Sequence, residues 1–110
     1  MSPRPGEVWL ADLGLAAKTR PVVIVSRYDP DPPRALALIV PLTTQNRHSS
    51  YEIALPRLSF LDRDSVANVQ GLSSLPVVHF ERRLGKLSDD VMKTIKQALA
   101  FALDLESATH

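Results

Sequence analysis

The amino-acid sequence predicts a mainly β fold with one C-terminal helix, an α+β arrangement in which a small, curled antiparallel sheet or barrel packs against the helix. Short apolar runs separated by turn-forming residues predict several strands over residues 6–80. After residue 88 the hydrophobic period changes to three or four residues, which predicts a helix. The length of 110 residues with 45% hydrophobic content suits one core, so we expect residues 1–110 to form a single domain.

Each predicted strand is an alternating or continuously apolar run that stops at a turn signal. The predicted strands cover residues 6–12, 20–26, 35–42, 51–55, 65–70 and 77–80, with loops at 13–19, 29–33 and 45–50. Arg20 and Pro21 open the second strand, because proline is tolerated at the first position of a strand, where no ladder donor is needed. The run 35–42 is expected to be a buried central strand, because it is apolar throughout.

The predicted helix has an apolar stripe and a recognisable N-terminus. Ser88 is a suitable N-cap, and Asp89 and Asp90 place negative charge in the first turn, where the helix dipole favours it. We expect the stripe to cover the sheet as part of the core, and residues 106–110 to be a frayed tail. The stripe consists of Val91, Met92, Ile95, Ala98, Leu99, Ala102 and Leu103.

Composition excludes several classes of protein. The chain has no cysteine, which excludes a disulfide framework and a thiolate zinc site, and its 3 scattered histidines argue against a histidine metal cluster. We therefore expect no metal site and no cofactor. No apolar run approaches the ~20 residues that cross a bilayer, and residues 1–6 lack a signal-peptide core, so a soluble cytoplasmic protein without a membrane partner is expected. A chain this short buries a small core, which favours a homodimer.

A candidate phosphate-binding site combines Arg20, at the start of one strand, with Thr43, at the end of another. A guanidinium grips phosphate bidentately, and a neighbouring hydroxyl donates to the same group, so the pair suits the anionic transition state of phosphodiester cleavage. The charge distribution permits this reading without requiring it, since the net charge is +1 for the chain and +3 over residues 18–47. On residue types alone, an arginine before proline at a strand start is more often a solvated loop residue, and paired threonines at a strand end more often serve turn chemistry than catalysis.

Five segments in order resemble the MazF/PemK family of toxin endoribonucleases. Residues 6–13 (GEVWLADL) look like the family's opening strand, residues 19–26 (TRPVVIVS) like its Arg-Pro strand, and residues 40–44 (VPLTT) like its catalytic strand end. Residues 64–66 (DSV) and 83–88 (RLGKLS) resemble later landmarks before the terminal helix. The likeness runs nearly end to end, and the order of the segments makes it specific.

The resemblance implies an SH3-like barrel of the MazF/PemK/CcdB type, acting as a homodimer. It also implies a toxin that cleaves single-stranded RNA at short sequence motifs without a metal ion, an mRNA interferase held inactive by a cognate antitoxin. Carried over by position, the catalytic residues are Arg20 and Thr43, with Thr44 the less favoured hydroxyl, and no general base is assigned. The implied chemistry is attack of the ribose 2′-hydroxyl on phosphorus, which gives a 2′,3′-cyclic phosphate and a 5′-hydroxyl. The implied RNA-binding residues are Lys18, Thr19, Thr44, Gln45, Arg47, His48 and Gln70.

The chain departs from the family pattern in two segments. The loop at 14–19 is shorter and lacks a Gly-Ser-Glu type element before the arginine, which leaves the RNA sequence preference open. In residues 68–73, where some relatives present Arg, Asp or Gln to the substrate, this chain has Asn68, Gln70, Gly71 and Ser73. An acid–base pair borrowed from those relatives is therefore not expected.

Several alternatives stay open at the level of sequence. His48 and His79 are candidates for a two-imidazole cleavage mechanism, although His79, between Val78 and Phe80, is better read as a strand residue with its ring on the polar face. Trp9 is expected in the core, whereas Tyr51 is either a base-stacking or a structural residue. A non-catalytic toxin or adaptor of the same fold that binds a protein such as DNA gyrase is the alternative function, and an inactive RNA-binding module is a third.

Overall fold

A computed structural model describes residues 2–14 and 19–105. In that part of the chain a run of β-strands is followed by a C-terminal α-helix, which confirms the predicted fold class. The strands are β1 (Glu7–Asp12), β2 (Thr19–Ile24), β3 (Leu36–Thr43), β4 (Glu52–Ala54), β5 (Val66–Asn68), β6 (Ser73–Pro76) and β7 (Phe80–Lys86), and the helix is α1 (Asp89–Ala102). Short 3₁₀ turns at Val69–Gly71 and Val77–His79 precede β6 and β7.

The sheet is antiparallel and centred on β3. Its strand order is β4-β5-β3-β2-β1-β7, and β6 pairs with the N-terminal half of β3. On one edge, β3 pairs with β2; on the other it pairs first with β6, through Leu36–Ile39, and then with β5, through Leu42 and Thr43. This division of one long strand between two partners curls the sheet. Among the described residues, β4 and β7 are not hydrogen-bonded to each other, so the barrel-like sheet is open rather than closed.

Buried side chains form two clusters on the two faces of the curled sheet. Alternation along β2 sends Val23 into the larger cluster and Val22 and Ile24 into the smaller one. The larger cluster lies beneath α1, which contributes Met92, Ile95 and Ala98, so the apolar stripe of the helix is part of the core, as predicted. Trp9 packs at the margin of the smaller cluster and stacks on Phe80 with ring centroids 5.8 Å apart.

The start of α1 agrees with the sequence prediction. Ser88 is the N-cap, and its Oγ accepts a hydrogen bond from the Val91 backbone N–H at 3.3 Å. Asp89 and Asp90 lie in the first turn. The helix ends at Ala102, and Leu103 is exposed beyond it, so the predicted stripe is one residue too long. None of the helices in the described ranges has the length and apolar content needed to span a membrane.

The prediction was wrong for the segment before α1. Residues 77–79 form a 3₁₀ turn instead of a strand, β7 begins at Phe80, and β6 was not predicted. The hydrophobic pattern did not predict these two strands, for different reasons. β6 opens with two exposed serines, Ser73 and Ser74, and β7 is an edge strand with successive charged residues. Thr19 lies in β2 rather than in the preceding loop. Residues 15–18 of that loop and the predicted tail 106–110 lie outside the described residues.

Candidate active-site groove

Strand register brings Arg20 and Thr43 to the same end of the sheet. The pairs between β2 and β3 are Val22 with Pro41, Val23 with Val40 and Ile24 with Ile39. Continued by two residues, the same register places Arg20 of β2 opposite Thr43 of β3. Because side chains alternate along a strand, both share the face of the smaller cluster with Val22 and Ile39.

Arg20 and Thr43 line one open groove of about 920 Å³, called here the Arg20 groove. Predicted site residues Thr19, Thr44 and Gln45 line it as well. Its walls come from β2, the end of β3 and residues 73–75 of β6. The groove therefore gathers the two predicted catalytic residues and part of the predicted RNA-binding set.

The Arg20 guanidinium is available to an anion. The side chain is exposed, and its one hydrogen bond within the described chain is a long contact of 3.5 Å from Nη1 to the Thr19 carbonyl oxygen. Arg20 forms no salt bridge with any acidic residue in the described part of the chain. A charged guanidinium at a groove mouth with its donors free is suited to bidentate phosphate binding.

The Thr43 hydroxyl is oriented by the turn that follows β3. The side chain is half-buried, and its Oγ1 accepts a hydrogen bond from the Gln45 backbone N–H at 3.2 Å. This is the turn chemistry that sequence reasoning offered as the alternative to catalysis. The two roles are compatible, because a hydroxyl that accepts from the backbone keeps its own hydrogen for donation into the groove.

A second pocket of about 510 Å³ adjoins the groove and shares Thr43 and Gln45 with it. We call it the amide pocket, because three carboxamide side chains line it. Predicted RNA-binding residues Arg47 and Gln70 lie here rather than in the Arg20 groove. The pocket is completed by Ser49, Tyr51, Glu52 and Asn68.

Glu52 organises the loop that carries Arg47. Its Oε2 accepts from the Arg47 backbone N–H at 3.1 Å, and its Oε1 accepts from the Ser49 N–H at 3.1 Å and the Ser49 Oγ at 2.8 Å. These bonds, that from Arg47 above all, lower the pKa of the Glu52 carboxyl below its ordinary value. Within the loop His48 has a left-handed backbone with φ 59°, and its N–H is bonded to Asn46 Oδ1 at 2.7 Å.

Neither His48 nor His79 lines the Arg20 groove or the amide pocket. His79, predicted as a strand residue, lies in the 3₁₀ turn before β7, half-buried, with Nδ1 3.0 Å from the Asp12 carbonyl oxygen. That contact fixes the imidazole to the end of β1, which is a structural role. The two-histidine mechanism is therefore less well supported by the geometry than the pairing of Arg20 with Thr43.

Sequence reasoning did not select Asn68 and Glu52 as site residues, although both line the amide pocket. Asn68 reaches the amide pocket because β4 pairs with β5 through Glu52 and Asn68. Glu52 had a local signal that was overlooked, since Ser49 and Glu52 have the spacing of a capping box, in which the acidic side chain returns to the Ser backbone. The predicted residue Lys18 lies outside the described residues. Within residues 2–14 and 19–105, no group of three or more His, Cys, Asp or Glu side chains is arranged to hold a metal ion.

Comparison with known proteins identifies the family. The PemK-like, MazF-like toxins of type II toxin–antitoxin systems match residues 4–103. A Mycobacterium tuberculosis protein (strain H37Rv), the probable endoribonuclease MazF5, is 36% identical over 103 residues, covering 93% of this chain and 94% of its own. A solved endoribonuclease from a mycobacterial species superposes with a TM-score of 0.83 at 27% identity, over 97% of this chain and 96% of that one. A mycobacterial endoribonuclease solved in complex with its cognate antitoxin gives a TM-score of 0.83 at 28% identity, over 96% and 98% of the two chains. The chain belongs to the PemK-like, MazF-like family of toxins.

Proposed function

We propose that this protein is the toxin of a bacterial toxin–antitoxin system and acts as a sequence-specific, metal-independent endoribonuclease on single-stranded RNA. The observation that carries the proposal is the convergence of Arg20 and Thr43 on one groove at the end of β2 and β3. The family supports it, since the relative that is 36% identical is named a probable endoribonuclease. A protein that only bound another protein would have no need of a free guanidinium beside an oriented hydroxyl.

In the proposed reaction the ribose 2′-oxygen attacks the adjacent phosphorus and the bond from phosphorus to the 5′-oxygen breaks. The 2′-hydroxyl loses its proton, the departing 5′-oxygen gains one, and the products are a 2′,3′-cyclic phosphate and a 5′-hydroxyl. Arg20 binds the phosphate and stabilises its developing charge, and it donates a hydrogen bond to the leaving oxygen. Thr43 donates to a non-bridging oxygen. A guanidinium holds its proton at ordinary pH, so Arg20 is not assigned as the general base.

The direct test is incubation of the purified protein with a long RNA in EDTA, followed by mapping of both ends at every cut. We expect cleavage at a short recurrent motif, with 5′-hydroxyl and 2′,3′-cyclic phosphate ends. Because Arg20 and Thr43 supply the charge and the donor, chelation should leave the rate unchanged. Uncut RNA, or activity lost in EDTA and restored by Mg²⁺, would reject the mechanism.

The proposal includes a cognate antitoxin that competes with RNA. Arg20 and Arg47 are the cations that line the Arg20 groove and the amide pocket in the described chain, so an acidic or amphipathic antitoxin segment would be attracted to the same surface. A relative 28% identical to this chain has been solved with its cognate antitoxin, which supports a partner of this kind. We further propose that the toxin works in the cytoplasm, where messenger RNA is found, as a single-domain homodimer.

A further inference from the structure

The last two residues of β3 have a different strand partner from the residues before them. The ladder between β2 and β3 ends at Pro41. Beyond it, β3 pairs with β5 instead, Leu42 with Ala67 and Thr43 with Val66. β5 has only three residues, so the segment that leads into β5 should affect where Thr43 lies in the groove.

The segment that leads into β5 is the loop of residues 57–64, called here the Arg57 loop, which contains no helix or strand. The Arg57 guanidinium donates hydrogen bonds to three carbonyl oxygens of this loop, those of Leu58, Leu61 and Asp62, at 3.2, 2.6 and 2.9 Å. Its Nε also lies 3.8 Å from Asp64 Oδ1. Hydrogen bonds from a charged donor are stronger than those between neutral groups, so this one side chain holds the conformation of the loop.

The Arg57 loop also packs against the sheet. Phe60 lies on Gly85 of β7 so closely that a Cβ atom at position 85 would be 2.4 Å from the phenyl ring. Leu61 is buried in the larger hydrophobic cluster, and Phe60 packs against that cluster. The position of the loop on the sheet is therefore set by packing, and its internal conformation by Arg57.

The Arg57 loop reaches the Arg20 groove through the residue that follows it. Ser65 is buried and lines the groove, and its Oγ donates a hydrogen bond to the Arg63 carbonyl oxygen of the loop at 3.2 Å. Val66, the next residue, is the ladder partner of Thr43. A continuous path therefore runs from Arg57 through the loop and β5 to the Thr43 hydroxyl.

We infer that Arg57 is a positioning residue for RNA cleavage, which fixes the loop and the start of β5 and so holds the Thr43 hydroxyl where the scissile phosphate binds. The inference rests on the proposed endoribonuclease function. Arg57 lines neither the Arg20 groove nor the amide pocket, so it acts through other residues. Arg20 lies on β2, which pairs with β1 and β3, so phosphate binding by Arg20 should not depend on Arg57.

The test is a double-mutant cycle between Arg57→Gln and Thr43→Ala, measured as single-turnover cleavage of a short RNA at saturating enzyme. Glutamine removes the charge and the forked donors of the guanidinium. In the wild-type background Arg57→Gln should lower the maximal rate on the order of tenfold, because a displaced hydroxyl no longer meets the phosphate. The affinity for an RNA with 2′-deoxyribose at the cut site should be unchanged.

In the Thr43→Ala background Arg57→Gln should have no further effect on the rate, because no hydroxyl is left to position. A loss of similar size in both backgrounds would reveal a general effect on the structure and would overturn the inference. All rates are measured below the melting transition of each variant. If Arg57→Gln does not fold, Arg57→Lys, which keeps a charged donor but not the fork, replaces it in the cycle with the same expectation.

Arg63→Gln is the matched control, because Arg63 belongs to the same loop, is exposed, and its side chain makes no hydrogen bond or salt bridge in the described ranges. It should cut RNA at the wild-type rate. A rate as low as that of Arg57→Gln would show that loss of any positive charge from the loop has this effect, which would also overturn the inference.

A spectroscopic measurement separates this inference from the proposed function. The NMR methyl resonance of Thr43 reports on the surroundings of that side chain without RNA. We expect it to shift in Arg57→Gln and to stay in place in Arg63→Gln. That result, with a wild type that never cuts RNA, would reject the endoribonuclease and still support placement of Thr43 by Arg57. A wild type that cuts RNA, with either the Thr43 resonance or the cleavage rate unchanged in Arg57→Gln, would overturn the inference and leave the endoribonuclease intact.

Discussion

Arg20 and Thr43 contribute to the groove in different ways, because one is charged and exposed whereas the other is neutral and half-buried. Both could be selected from the sequence, since an Arg-Pro strand start and a Thr-Thr strand end stand at recognisable positions. Their side-by-side placement depends on the β2–β3 register, which no local pattern specifies. The register is fixed by burial, because a shift of one residue would turn Val22 and Ile24 out of the smaller cluster.

Replacement of Arg20 by alanine should impair catalysis with little effect on folding. Removal of a charged donor directed at the transition state costs on the order of a hundredfold or more in rate. The Arg20 side chain is exposed and forms no ion pair in the described chain, so its loss should change the free energy of unfolding by well under ~1 kcal/mol. Thr43→Ala should slow cleavage less, because a neutral hydroxyl forms a weaker hydrogen bond than a charged group.

The measurement is single-turnover cleavage of a short RNA alongside thermal melts, with His48→Ala as the mild control. His48 is exposed and lies outside the Arg20 groove. An Arg20→Ala protein that melts and cuts like the wild type would disprove the active-site assignment. A large loss of rate in His48→Ala would instead indicate that a histidine takes part in the reaction.

Glu52 should hold its loop in a pH-dependent way. The backbone N–H of Arg47 and the Ser49 bonds lower the pKa of the folded Glu52 below the ordinary 4.5, so the stabilisation is present above the unfolded pKa. It is lost as the pH falls through the lower, folded pKa, because a protonated carboxyl accepts these bonds weakly. We expect the NMR amide shifts of Arg47 and Ser49 to move together in this acid range.

Glu52→Gln provides the comparison for that titration, because it removes the charge and keeps the size of the side chain. The Arg47 and Ser49 amide shifts should then already be displaced at neutral pH and be insensitive to acid, and RNA should bind more weakly. Glu81→Gln on β7 is the control, since Glu81 is exposed and its side chain makes no hydrogen bond in the described chain. Wild-type amide shifts in Glu52→Gln would show that the carboxylate does not organise the loop.

The sequence predicted some elements of the fold well and others poorly, for physical reasons. The buried strands β2 and β3 and the helix α1 were found because burial imposes a hydrophobic period on them. β6 and β7 were misplaced because each has an exposed or edge position, where pairing to a neighbour decides the structure and no apolar period is required. The amide pocket was not foreseen as a unit, since residues 43–52 and 68–70 meet only through the pairing of β3 and β4 with β5.

The Ser88 cap should contribute measurably to the stability of α1 and, through its buried face, to the whole core. Ser88→Ala removes the 3.3 Å bond to the Val91 N–H and should lower the free energy of unfolding by about 1 kcal/mol. Urea denaturation measures this loss. Ser50→Ala is the matched control, because Ser50 is exposed and makes no side-chain hydrogen bond in the described ranges; equal midpoints for the two variants would show that the cap is dispensable.

Exposed apolar side chains on the described surface agree with the proposed homodimer. Leu36 and Leu38 on β3 are 41% and 45% exposed, and Val78 beside β6 is 83% exposed. Strand β3 was expected to be buried throughout. In its first half, however, buried side chains alternate with exposed ones. A second copy of the chain would remove such apolar surface from water, which is the driving force for a homodimer.

Light scattering should accordingly give a mass of about twice 12.1 kDa at micromolar concentration. Dilution should shift the population towards the monomer, because association follows mass action. A purely monomeric protein at micromolar concentration would contradict the proposed dimer. It would leave the Arg20 groove unaffected, since every residue described in that groove comes from one chain.

RNA affinity should depend on salt in proportion to the number of phosphates that the groove neutralises. Binding of a single strand releases condensed counterions, and the logarithm of the affinity falls with the logarithm of salt concentration by roughly 0.7 per neutralised phosphate. Arg20→Gln should therefore weaken binding at low salt and reduce the slope by about 0.7, as expected for the loss of one phosphate contact. Arg34→Gln is the control, because Arg34 is exposed and lines neither the Arg20 groove nor the amide pocket. The titration uses a short RNA with 2′-deoxyribose at the cut site, so that cleavage does not interfere. A salt-independent affinity, or equal slopes for Arg20→Gln and the wild type, would place the RNA backbone on a different surface of the protein.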